Sequence, residues 1–148
     1  MGQTMRHRIA GRGFGRNSNK KKALLRGLTT SLFEHLKIET TVAKAKEARK
    51  FAERIITIGK KGDLQSRRLA LSRIPNNNII SKLFNEIAPK LANRGSGYLR
   101  IIKTRFRNGD NSSMAILEFV DYDSLTEEKK VKNKEEKKKE VKKKEVKT

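Results

Sequence analysis

The chain has 148 residues, with 37 basic side chains against 16 acidic ones and a formal charge of +21. That length leaves room for one modest domain with tails. The absence of cysteine excludes disulfides and thiolate metal sites, no apolar run approaches the ~20 residues of a membrane span, and so large a charge repels itself unless it sits against a polyanion. Nucleic acid, an anionic membrane face and an acidic protein are the candidate polyanions. No apolar signal-peptide core follows the basic start, so the expected compartment is the cytoplasm.

The stretch "MRHRIAGRGFGRNSNKKK", residues 5 to 22, carries eight Lys, Arg or His side chains and no acid; the first carboxylate is Glu34. Its "GRGFG" run invites comparison with phosphate-cradling loops. However, no strand precedes it, the glycine spacing differs from the dinucleotide fingerprint, and no Gly-Lys-Ser/Thr follows. The glycines are read instead as letting the chain thread along an uneven surface, with a flexible linker as the alternative. His7 sits among arginines, where nucleic-acid contact and plain exposure are equally expected, and His35 reads as structural or exposed.

Asn17, Ser18 and Asn19 can cap a helix over about Lys20 to His35, whose apolar stripe is Leu24, Leu25, Leu28, Leu32 and Leu36. Lys20, Lys21, Lys22 and Arg26 crowd its first turns. Cations near the positive end of a helix dipole are unfavourable by a few tenths of a kcal/mol each, a cost an external phosphate would offset. "KIETTV", residues 37 to 42, is a short β-branched strand. Ala45, Ala48, Ala52, Ile55 and Ile56 then stripe a second helix over about Ala43 to Ile58, with Gly59 and Gly62 as its stop.

Asp63 caps "LQSRRLALSR", which Pro75 should end. Asn76 to Asn78 open a further helix with Ile79, Ile80, Leu83, Phe84 and Ile87 inward, and Pro89 shortens or kinks it. "YLRIIKTRFR" changes the period to two, with Tyr98, Arg100, Ile102, Thr104 and Phe106 on one face and Leu99, Ile101, Lys103 and Arg105 on the other. "RNGDNS" is a turn with Gly109 free to take positive φ, and "MAILEFV" completes an antiparallel hairpin. The expected fold is a two-layer α/β domain of the α+β kind, a small three-stranded mixed sheet covered by helices. The strand order is not legible. From Ser124 onward 11 lysines and 6 glutamates, net +5, form a low-complexity tail expected to have no fixed fold.

Little here supports an enzyme. The acids are scattered, and Asp121 with Asp123 reads as strand-end solvation rather than as a metal pair. The bases are clustered. Arg6, His7, Arg8, Arg12, Arg16, Asn17, Lys20, Lys21, Lys22 and Arg26 form a limb and the helix it enters, and Arg67 and Arg68 mark the short helix with Arg73. Arg94, Tyr98, Arg100, Lys103, Arg105 and Arg107 line the hairpin and its approach. Arginine suits phosphate forks and base stacking, so these are the candidate RNA-binding residues. Tyr98 is assigned equally to base stacking and to the core. A DNA-binding nucleoid or regulatory protein is the alternative that charge alone allows.

The segments "MRHRIAGRGFGRNSNKKKALLRGL", "TTVAKAKEARKFAERIITIGKKG", "RRLALSRI" and "KLFNEIAPKLANRGSGYLRIIKTRFRNGDNSSMAILEFVD" together resemble the bacterial large-subunit ribosomal protein seventeen family. The similarity is collinear from about Met5 to Asp121. The resemblance implies a structural protein without catalysis, cofactor, membrane or small-molecule substrate. Its implied partners are large-subunit ribosomal RNA near the peptide exit tunnel and neighbouring ribosomal proteins. It also implies an extended N-terminal segment that penetrates RNA, here Arg6, His7, Arg8, Arg12, Arg16 and Asn17. The expected organisation is a basic arm over 1–18, a globular domain over 19–123 and a Lys/Glu-rich tail over 124–148 that lies outside the family pattern.

Overall fold

In the computed structural model, residues 11–120 are described; the expectations for Arg6, His7, Arg8 and the tail lie outside them. Helix α1 spans Ser18–His35 and starts where Asn17, in extended geometry, accepts the Lys20 amide on its side chain at 2.9 Å. Such a cap is worth about 1 kcal/mol. The helix ends at Leu36, whose φ of 66° is left-handed and whose amide donates to the Leu32 carbonyl at 2.7 Å. A leucine in that conformation is strained. Its side chain is 2% exposed, so burial offsets the strain and turns the chain directly into strand β1, Lys37–Thr41.

Helix α2, Val42–Lys61, buries Ala45, Ala48, Ala52, Ile55, Ile56 and Gly59 on one face, close to the predicted stripe. Of the two glycines expected to stop it, Gly62 does so, with φ +76° and its amide on the Gly59 carbonyl. Gly59 lies inside the helix instead. A Cβ there would stand 3.2 Å from Leu83 Cγ, so this glycine serves a close approach rather than a stop. Asp63 accepts the Ser66 amide at 3.1 Å and caps α3, Leu64–Arg73, which closes before Pro75 as anticipated.

Asn76 accepts the Ile79 amide and caps α4, Asn77–Lys82. The helix then widens into a π-helical turn, Leu83–Ile87, and finishes as α5, Ala88–Lys90. In a regular helix the Pro89 ring would strike the carbonyl four residues back and leave it without a donor. The wide turn, closed by the Ala88 amide on Leu83, lets the helix pass the proline without a sharp break.

Strands β2, Leu99–Phe106, and β3, Ser113–Phe119, form the expected hairpin, and the sheet order is β1-β3-β2. Both pairings are antiparallel, so the sheet is not mixed. Strands β1 and β2 run in the same direction, but β3 inserts between them and pairs with each. The helix-facing side of the sheet is Ile38, Leu99, Ile101, Ala115, Leu117 and Phe119, with Phe119 6.2 Å from the Phe33 ring centre. The Phe119 amide reaches the Leu36 carbonyl at 3.3 Å, and the Val120 amide reaches Tyr98 at 3.0 Å. These bonds fasten the end of β3 to both neighbouring turns.

Phe33 is fully buried where α1 meets the central strand. Phe33→Ala should lower the unfolding free energy by about 3–5 kcal/mol, read as a shift in the urea midpoint at unchanged slope.

Candidate nucleic-acid interface

The glycine run is laid against α2. Gly11, Phe14 and Gly15 all have positive φ, and a Cβ on Gly11 would stand 2.8 Å from Glu47 Oε2. The path is held locally by the Arg16 guanidinium, which donates to the Phe14 carbonyl at 2.8 Å. It delivers Arg12 to one wall of an open cleft of about 630 Å3 between α2 and β2. Val42 and Ile101 line the cleft with five cations, Arg12, Lys46, Arg49, Lys50 and Lys103, and two carboxylates, Glu47 and Glu53.

Two of those five cations are paired along α2, Arg49 with Glu53 at 2.9 Å and Lys50 with Glu47 at 3.5 Å. Arg12, Lys46 and Lys103 have no acidic partner among the described residues. Sequence reasoning found Arg12 and Lys103 but not Lys46. The available signal was its place beside Ala45 and Ala48, on the helix flank that rolls away from the buried stripe.

The other predicted residues divide sharply by what they touch. Lys20 and Lys22 are exposed in the first turn of α1, where no acid sits, and Lys21 is half-buried. Arg26 donates to the carbonyls of Arg73 at 2.7 Å and Ser72 at 3.2 Å, so it caps the C-terminus of α3. Arg67 lies over the Phe84 ring at 4.9 Å, while Arg68 is exposed. Arg94 is half-buried and its carbonyl accepts from Lys60 Nζ at 2.6 Å. Tyr98 is 2% exposed and its hydroxyl donates to the Gly95 carbonyl at 2.9 Å, under the Lys60 ammonium. Its ring belongs to the core and has no face for a base.

On the hairpin, Arg100 meets Glu118 at 2.6 Å and Arg105 meets Glu39 on β1 at 3.4 Å. The alternation expected along β2 placed Arg105 with Lys103. The register slips by one between Lys103, opposite Ala115, and Phe106, opposite Ser113. This bulge puts Arg105 on the open face with Glu39 and turns Phe106 to the side that carries Lys103. Arg107 grips Asp110 through Nε at 3.0 Å and Nη2 at 2.6 Å, and Ser112 Oγ donates to the same carboxylate at 2.8 Å. These contacts hold the Asp110 carboxyl well below the usual range, the Arg107 bond contributing most and the Ser112 hydroxyl next.

Among the described residues no group of His, Asp and Glu could hold a metal ion, and no helix is long and apolar enough to cross a membrane. The site offers cations on a shaped surface. Comparison with known proteins agrees in kind. The family model for Ribosomal protein L17 matches residues 24–120. The chain is 57% identical over 131 residues to the Large ribosomal subunit protein bL17 of Thermodesulfovibrio yellowstonii, covering 85% of this chain and 98% of that protein. It is 55% identical over 119 residues to the protein of the same name from Desulfotalea psychrophila, covering 80% and 92%. The corresponding figures for Mesorhizobium japonicum are 48% over 120 residues, covering 81% and 84%.

Because its folded value lies below the ordinary 3.8, Asp110 favours the closed hairpin loop above that pH, and the contribution is lost only as pH falls through the lower, folded value. Carboxyl NMR should find Asp110 still ionised where exposed carboxylates are half protonated, and Arg107→Gln should move its titration back up. Titration at the ordinary carboxylate value in the unmodified protein would contradict the cage.

Proposed function

The chain belongs to the ribosomal protein L17 family, and on that premise we propose that it binds large-subunit ribosomal RNA through its N-terminal arm and the α2–β2 cleft. Members of the family are structural components of the large ribosomal subunit rather than enzymes. The observation that carries the RNA reading is the gathering of unpaired charge in one cleft. Just beyond Gly11, Arg12 converges with Lys46 and Lys103 without acidic partners among the described residues. Folding gathers these like charges at a cost in repulsion, and RNA phosphates are the counter-charge that removes it.

Arg6, His7, Arg8, Arg12 and Arg16 thread between RNA segments in this reading, and Lys20, Lys22 and Arg68 add phosphate contacts. The residues that bond protein carbonyls or acids, Arg26, Arg100, Arg105 and Arg107, position the surface more than they bind. The proposed setting is the cytoplasmic large subunit near the peptide exit tunnel. The open sheet face, where Arg100–Glu118 and Arg105–Glu39 balance charge around Ile102 and Ile116, suits a neighbouring ribosomal protein better than RNA. The organisation that goes with this is an arm over 1–18, a body over 19–123 and an accessory tail over 124–148.

The test is binding of the full chain to large-subunit RNA over a range of salt, with duplex DNA of equal length as competitor. Neutral substitutions at Arg12, Lys46 and Lys103 together should lower the slope of log K against log salt by roughly 2–3, at about 0.7–0.9 per phosphate contact. Neutral changes at Arg6, Arg8, Arg12 and Arg16 should act in the same direction. An unchanged slope would remove the cleft and arm from the interface, and a preference for DNA would support a nucleoid role instead.

A further inference from the structure

We infer that Phe106 is a stacking platform for an unpaired nucleobase of the bound RNA, a role that rests on the RNA reading above and that the sequence pattern had left open for Tyr98 alongside a place in the core. The core takes Tyr98, but Phe106 at the end of β2 is 65% exposed. A lone exposed apolar side chain needs no explanation by itself. Three features set this one apart.

The first is direction. Strict alternation along β2 would put Phe106 on the open face with Arg100 and Ile102. The slip that pairs it with Ser113 turns it to the side shared by Ala115, Leu117 and Lys103. Lys103 belongs to the basic cleft, so the ring projects on the same side as the unpaired cations. Three residues of strand separate the two, roughly 10 Å at 3.3 Å per residue. A strand whose phosphates rest on Lys103 and Lys46 could therefore turn a base onto the ring.

The second is rigidity. Phe106 adjoins the loop closed by the Arg107–Asp110–Ser112 cage, and the Arg107 amide bonds the Ser112 carbonyl at 2.9 Å. The ring is thus offered by a fixed backbone, which lowers the ordering cost of stacking. The third is chemistry. Both flanking arginines are already paired with acids, Arg105 with Glu39 and Arg107 with Asp110, so the tip has little free charge and a phosphate is not its best ligand. A flat apolar ring in a nearly neutral setting, beside a cationic cleft, matches a base whose own phosphate is held next door. Stacking of this kind is tolerant of sequence and selects single-stranded loops and bulges over duplex.

The protein contains no tryptophan, so Phe106→Trp installs a single reporter ring at the site. With the full chain and large-subunit RNA, Phe106→Trp should retain affinity and its emission should be quenched on binding. Phe106→Ala should weaken binding about tenfold, within the range of one lost base stack, while leaving the salt slope and the urea midpoint unchanged. That pattern is opposite to the one expected of the cleft lysines. Wild-type affinity in Phe106→Ala together with unquenched emission from Phe106→Trp would overturn the assignment. So would intact RNA binding with poor incorporation into reconstituted large subunits, which would make the ring a protein contact. Failure of the unmodified chain to bind the RNA at all would overturn the RNA reading itself, and this inference with it.

Discussion

The fold depends on one helix having two incompatible faces. Along α2 the inward face includes Ala45, Ala48, Ala52 and Gly59, small enough for the helix to lie close to its neighbours, and Gly59 admits Leu83 where a methyl group would crowd it. Ile55 and Ile56 fill the same inward face further along, and the long charged side chains beside the alanines are left to the other. Lys46, Arg49 and Lys50 are thereby gathered along one wall, and the sheet supplies Lys103 and the arm Arg12 opposite them. Packing density on one face produces charge density on the other.

The surplus positive charge is consequently not one uniform coat. Some cations are structural donors: Arg26 caps α3, Lys60 binds the Arg94 carbonyl over the Tyr98 ring, and Lys82 bonds the Glu34 carbonyl at the end of α1. Others meet acids, as Arg49, Arg100, Arg105 and Arg107 do. The remainder concentrates beside the arm. A chain whose acids and carbonyls occupy most cations of the hairpin, and leave Arg12, Lys46 and Lys103 in the cleft, has a directional electrostatic surface. Net charge states only that a polyanion is near.

Much of this was legible in the residues. Asn17, Asp63 and Asn76 each cap the helix they precede, because a cap joins a side chain to an amide three residues on and requires nothing distant. The alanine stripe of α2 and the turn at Gly109 are equally local. The segments quoted for the family resemblance were sufficient to identify the family. Gly59 was misread because a glycine near a helix end looks the same whether it stops the helix or admits a neighbour. Phe33 lies one position off the leucine stripe of α1, on a flank whose burial depends on the distant Phe119 and so leaves no periodic mark.

What the sequence alone determined is therefore whatever is enforced within one turn or one strand: element types, most boundaries, caps, the hairpin and the acid-free arm. The tertiary structure decided the central place of β3, the slip that sends Arg105 to Glu39 and turns Phe106 to the side that carries Lys103, the burial of Tyr98 and the use of Arg26 as a cap. The physical reason is sequence separation. Arg26 meets carbonyls 46 and 47 residues away, and β1 finds β3 only after four helices have been laid down between them. Such contacts are settled by which surfaces remain uncovered after collapse, and no periodicity in the chain records that.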